Sequence, residues 1–178
     1  VSWNNATPDS GVFAGAGGTV MLTEAITAAS ATFSSNGYTV NLNGFDLTVV
    51  GQVGGSQLGS ATILSTPGAP ATVSIGSFSS TSNNLRFRDA LNVKIAAGWT
   101  PQNVNDFTGV LWFQPTVTAT ILPTDTNRLG TTSGLIRVDA SALTSGTANI
   151  NWSSPDNTQF HTFTRDIELI HGTASTAR

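Results

Sequence analysis

Gly37-Tyr38-Thr39-Val40-Asn41-Leu42-Asn43-Gly44-Phe45-Asp46-Leu47-Thr48-Val49-Val50-Gly51 is the stretch on which the fold of this chain turns. Apolar and polar residues alternate on both sides of an Asn-Gly pair. Successive strand side chains point to opposite sides, so Tyr38, Val40 and Leu42 share one face and Thr39 and Asn41 the other. Phe45, Leu47 and Val49 repeat the pattern after the turn. Two geometries satisfy it. A hairpin closed by Asn43-Gly44 pairs Leu42 with Phe45, Val40 with Leu47 and Tyr38 with Val49, placing all six apolar side chains on one face. A solenoid coil instead makes the two runs successive strands, with Gly37, Gly44 and Gly51 at the corners.

The same grammar extends along the chain. Residues 1–18 read as turns and loops, and Gly15-Ala16-Gly17-Gly18 fits neither phosphate-binding glycine pattern. Thr19-Val20-Met21-Leu22 begins a strand, and the Ala-rich segment from Glu24 to Ala31 is the best local candidate for a short helix, but the β-branched Ile26 and Thr27 favour an extended segment leading into Ala31-Thr32-Phe33-Ser34. Residues 51–60 read as a Gly/Ser/Gln loop, and a turn at Pro67-Gly68-Ala69-Pro70 precedes Ala71-Thr72-Val73-Ser74-Ile75. Leu85-Arg86-Phe87-Arg88 and Leu91-Asn92-Val93-Lys94-Ile95 follow, their cations pointing away from the core. A break from Gly98 to Asp106 leads to Val110-Leu111-Trp112-Phe113 and Thr116-Val117-Thr118-Ala119-Thr120-Ile121. Leu135 to Asp139, Ala148 to Trp152, Phe160 to Phe163 and Ile167 to Ile170 complete the strands. The alternating core is expected to contain Val40, Leu42, Leu47, Val49, Val73, Ile75, Phe87, Val93, Val138 and Ile150. No long amphipathic helix is legible.

These spacings predict one all-β domain over residues 1–178, either a mature secreted chain or a segment of a longer one. Charged residues are 10% of the chain against roughly 25% in an average soluble domain. A wet, nearly uncharged surface with Lys94 as the sole lysine suits an extracellular or cell-surface life. The net charge of −3, and a basic cluster no larger than Arg86 with Arg88, argue against a nucleic-acid partner. No run approaches the roughly 18 apolar residues of a membrane span, and Val1 opens directly into polar sequence, so a soluble chain is expected. The absence of cysteine excludes disulfides and thiolate metal sites.

Short inward columns with small or polar corners tolerate few charges and few large apolar residues, which favours the solenoid. Gly37-Tyr38-Thr39-Val40 leading to Leu47-Thr48-Val49, Trp3-Asn4-Asn5 upstream, and Arg128-Leu129-Gly130 with Gly134-Leu135-Ile136-Arg137-Val138 downstream carry a resemblance to a known group. Over about half its length the chain resembles the autotransporter-associated β-strand-repeat proteins. The resemblance implies an extracellular bacterial chain wound as a right-handed parallel β-helix. The fold expected is therefore that solenoid, with an antiparallel β-sandwich or jelly roll as the alternative.

Chemistry is harder to find. The ten carboxylates are scattered beside turns, and no pair stands at a spacing that suggests glycan hydrolysis. His161 and His171 have no serine arranged as a nucleophile elbow. Asp125-Thr126-Asn127 and Asp156-Asn157-Thr158 offer oxygens but match no calcium loop. Asn5-Ala6-Thr7 and Asn151-Trp152-Ser153 have the form of glycosylation sequons. No cofactor and no enzymatic activity are expected. The expected role is a structural protein that assembles with copies of itself into a surface fibre, layer or passenger stalk. The alternatives are a carbohydrate-binding module in which Trp3, Trp99, Trp112 or Trp152 stacks on cell-surface glycans, and a β-helix polysaccharide-degrading enzyme. Four consecutive large apolar residues cannot all enter one core from a strand. Val110, Leu111, Trp112 and Phe113, with the adjoining threonines Thr116, Thr118 and Thr120, are thus the candidate assembly interface.

Overall fold

The computed structural model describes residues 3–80, 82–123, 126–131, 134–151, 165–172 and 175–177. Every strand pairing in it is parallel. The strands Thr39–Asn41 and Leu47–Gly54 belong to different sheets and do not pair. The hairpin and the antiparallel sandwich are thereby excluded, and the chain is a right-handed parallel β-helix of about 5 turns. One sheet runs the length of the molecule through Leu47–Gly54, Ala71–Phe78, Leu91–Ile95, Leu111–Phe113, Ile136–Asp139 and Ile167–Ile170. A second stacks Thr19–Met21, Thr39–Asn41, Thr62–Ser65, Arg86–Asp89 and Asp106–Phe107. A third joins Ala119–Ile121, Gly146–Ile150 and Ser175–Ala177.

Asn43-Gly44 is a corner between two sheets. Both residues have positive φ, 51° and 86°, a conformation that asparagine and glycine adopt at least cost. The corner is tied to its neighbouring coils: the Asn43 side-chain amide donates to the Leu22 carbonyl at 3.4 Å and the Gly44 N–H to Ser65 Oγ at 3.1 Å. Phe45 lies in the turn and is 37% exposed, so it does not join Leu47 and Val49 in the core. Gly51 is not a corner of the expected kind. The strand runs on from Leu47 to Gly54 and bends where its register shifts between Val49 and Gln52. Here the coils stack so closely that a Cβ on Gly76 would stand 2.0 Å from the Val50 carbonyl oxygen.

The interior is a set of apolar columns. Val40, Leu42, Leu47, Val49, Val73, Ile75, Phe87, Val93 and Val138 are buried as expected, and Ile150 packs partly buried against them. Aromatic rings pack along the axis, Phe13 stacked on Phe33 at 4.4 Å, and Trp99 stacked against Phe78 at 6.2 Å and edge-on to Phe87 at 5.7 Å. Three strands fall in segments expected to be loops: Ser10–Phe13, Thr100–Pro101 and Asp106–Phe107. Each has a polar or Gly/Pro-rich sequence of its own and is held by the ladder of the coil beside it. Trp152, Asp125, Asp156 to Thr158 and Phe160 to Phe163, with His161, lie outside the described residues.

Candidate functional site

Parallel registry converts distant residues into neighbours. Ser74 pairs with Lys94, Lys94 with Trp112, Trp112 with Arg137 and Arg137 with Glu168, forming one outward-facing column across five coils. Side chains alternate across a strand, so Leu111 and Phe113 point the opposite way and are fully buried. That removes them from any assembly surface and leaves Val110 and Trp112, both half-buried, on the outside. Thr116 and Thr118 are exposed but sit in bends, and only Thr120 lies in a strand, so the three threonines do not line one strand face. Thr118 Oγ1 instead accepts a hydrogen bond from the Thr147 N–H at 3.3 Å.

The exposed side of Trp112 is covered from within the chain. The Lys94 ammonium lies 4.3 Å from the ring centroid, contributed by the preceding coil, and the Arg137 guanidinium 5.1 Å away, from the following one. The indole Nε1 donates to Asp139 Oδ2 at 3.1 Å. Asp139 is almost fully buried and also accepts from Gln114 Nε2 at 2.9 Å and the Ser141 N–H at 2.9 Å. Burial pushes its carboxyl up, but the donors from Ser141, Trp112 and Gln114 outweigh that and leave it below the usual carboxylate value. Arg137 Nε pairs with Glu168 at 2.6 Å, whereas Lys94 has no carboxylate partner among the described residues. Beside this column, Thr72, Asn92 and Val110 form a second one, and a groove of about 240 Å³ lies between the two.

Other candidates resolve differently. Trp99 is fully buried and cannot stack on a sugar, and Trp3 packs partly buried against the core while its Nε1 donates to the Thr27 carbonyl. Arg86 and Arg88 both bridge to Asp106, at 3.5 and 3.1 Å, so this basic pair is offset by a carboxylate from the next coil. His171 is exposed, with Nδ1 beside the Gly172 carbonyl. No group of three or more metal-ligating side chains occurs among the described residues, and no helix there is long and apolar enough to cross a membrane.

Sequence reasoning missed the two ends of the coil stack. At the first coils lies an apolar mouth of about 450 Å³, lined by residues of the inward columns that include Phe13, Val20, Leu22, Ile26 and Phe33. At the other end Ile167 and Leu169, which register with the buried Ile136 and Val138, are 48% and 55% exposed. The alternation in these segments was legible, but nothing in it marks which coil is terminal. Comparison with protein-family models, with curated proteins and with solved structures finds no match for this chain.

Proposed function

We propose that this chain is a non-enzymatic structural protein whose copies stack end to end along the solenoid axis, forming an extracellular fibre, layer or passenger stalk. The observation that carries the reading is the burial profile of one inward column. Val73, Val93, Leu111 and Ile136 are fully buried in the middle coils, whereas Ile167 at the end of the same column is 48% exposed. Each end thus combines uncovered apolar side chains with terminal strands, Ser10–Phe13 and Thr19–Met21 at one end and Ile167–Ile170 at the other, whose outer edges can pair, although the Ile26–Ala28 edge is capped by the Trp3 and Asn5 side chains. Another coil satisfies both demands at once. A small apolar ligand fills the mouth but leaves the edges unpaired.

Charge favours head-to-tail over head-to-head contact. Asp9, Glu24 and Asp46 are the only charged residues before Arg86, and seven basic face seven acidic residues from there on. The net charge of −3 therefore sits in the first half, and two such halves repel. Head-to-tail stacking also continues the parallel ladder in one direction, the heterologous geometry that grows filaments. The resemblance to autotransporter-associated β-strand-repeat chains and the scarcity of charge support an extracellular placement.

Mixing two blocked variants tests the reading. Val20→Glu places a charge in the mouth and Leu169→Glu places one at the opposite end. Each alone is expected to stay monomeric by light scattering, while an equimolar mixture forms a one-to-one dimer through its two intact ends. A wild-type protein that stays monomeric at every concentration, or single variants that assemble like wild type, would overturn the proposal.

A further inference from the structure

We infer that the groove between the Thr72-Asn92-Val110 and Lys94-Trp112-Arg137 columns binds a carboxylate-bearing sugar unit of an acidic polysaccharide. Its two cations come from coils on either side of Trp112, placing them roughly two strand spacings, about 9.5 Å, apart along the axis. Lys94 is the sole lysine of the chain and has no carboxylate partner among the described residues, so its charge is available to a ligand. Arg137 keeps donors beyond the Nε that meets Glu168. Thr72 contributes a hydroxyl. Asn92 uses its Oδ1 to hold the Val110 N–H at 2.9 Å, which directs its amide nitrogen as a donor. Val110 and the edge of the Trp112 ring provide apolar surface for the C–H face of a sugar.

The lining selects the class of ligand. Cations beside neutral donors fit a group that carries both carboxylate and hydroxyls. The faces of Trp112 are occupied by Lys94 and Arg137, so a neutral sugar has no free ring face to stack on. An acidic peptide fits less well. The groove lies on the face of a sheet whose backbone groups are already paired to the coils on both sides, which denies an extended peptide the edge hydrogen bonds on which strand addition depends.

Calorimetric titration of the wild-type protein with galacturonate oligomers tests this, with neutral glucose oligomers, oligo-glutamate and inorganic phosphate as parallel probes. Saturable binding of the uronate oligomers is expected, weakened by added salt and absent for the neutral sugar. Lys94→Gln should reduce affinity about tenfold or more, the loss of one charge-assisted contact, while the protein stays folded with a melting temperature lower by only about 1–4 °C, the loss of its one cation–π contact with Trp112. Thr72→Val is the second variant and should weaken binding by a smaller factor without altering the salt dependence. No uronate binding, equal binding of oligo-glutamate, phosphate or the neutral sugar, or Lys94→Gln binding as tightly as wild type would each overturn the inference.

Discussion

Leu111 and Trp112 are adjacent in sequence and opposite in environment, so a matched pair of substitutions reads the direction of the strand. Leu111→Lys places an ammonium where exposure is 0%. The leucine contributes roughly 2–3 kcal/mol by burial, and an unpaired buried charge costs several kcal/mol more. The sum is of the order of the whole stability of an ordinary domain, about 5–15 kcal/mol. Trp112→Gln removes two cation–π contacts, each about 0.5–1 kcal/mol near the surface, and one of three donors to Asp139, about 1 kcal/mol. About 2–3 kcal/mol lowers the melting temperature of a chain this size by roughly 4–12 °C. Far-ultraviolet circular dichroism during thermal and urea unfolding is the assay. Leu111→Lys is expected to lose the cooperative transition and Trp112→Gln to keep it. A Leu111→Lys protein melting near wild type beside an unfolded Trp112→Gln would mean that the strand presents its other face to the core.

Further outcomes follow from the same packing. Gly76→Ala should cost about 1–3 kcal/mol in urea unfolding, because its Cβ meets the Val50 carbonyl oxygen at 2.0 Å; a neutral result would mean that the coils separate there. Arg165 is buried, donates to the carbonyls of Leu129, Gly134 and Leu135, and has its pKa lowered to about 10 by desolvation. Arg165→Met removes the donor to the Leu129 and Gly134 carbonyls, while the Leu135 carbonyl keeps the Leu111 N–H, and should cost about 2 kcal/mol or more; an unchanged unfolding midpoint would refute that role. Asp139, whose pKa is depressed in the folded state, adds stability that is full above the ordinary carboxylate pKa and is lost as pH falls through the depressed value. Asp139→Asn should therefore flatten the acid limb of the stability-versus-pH curve, and an identical acid limb in wild type and variant would contradict it.

The inward columns were legible because strand alternation survives in each coil separately: Val73 and Ile75, or Leu91, Val93 and Ile95, need no knowledge of their neighbours to be assigned a face. The outward site was not legible. Trp112 stands 18 residues after Lys94 and 25 before Arg137, and Glu168 follows 31 later. Coils of unequal length leave no constant repeat to search for, so Trp112 read as an uncovered apolar residue when its cover comes from two remote cations. The threonines failed for a local reason: Thr116 and Thr118 follow Pro115 into bends, and alternation alone does not show that a strand begins only at Ala119. Phe45 was misplaced because the Asn43-Gly44 corner takes two residues more, Phe45 and Asp46, than a two-residue hairpin before the inward pattern resumes at Leu47.

Electron microscopy of the purified wild-type protein across a concentration series tests end-to-end stacking most directly. The expected result is unbranched rods of a single solenoid's width that lengthen with concentration and show an axial repeat of about 4.7–4.9 Å. Discrete globular particles of monomer size at every concentration would contradict it.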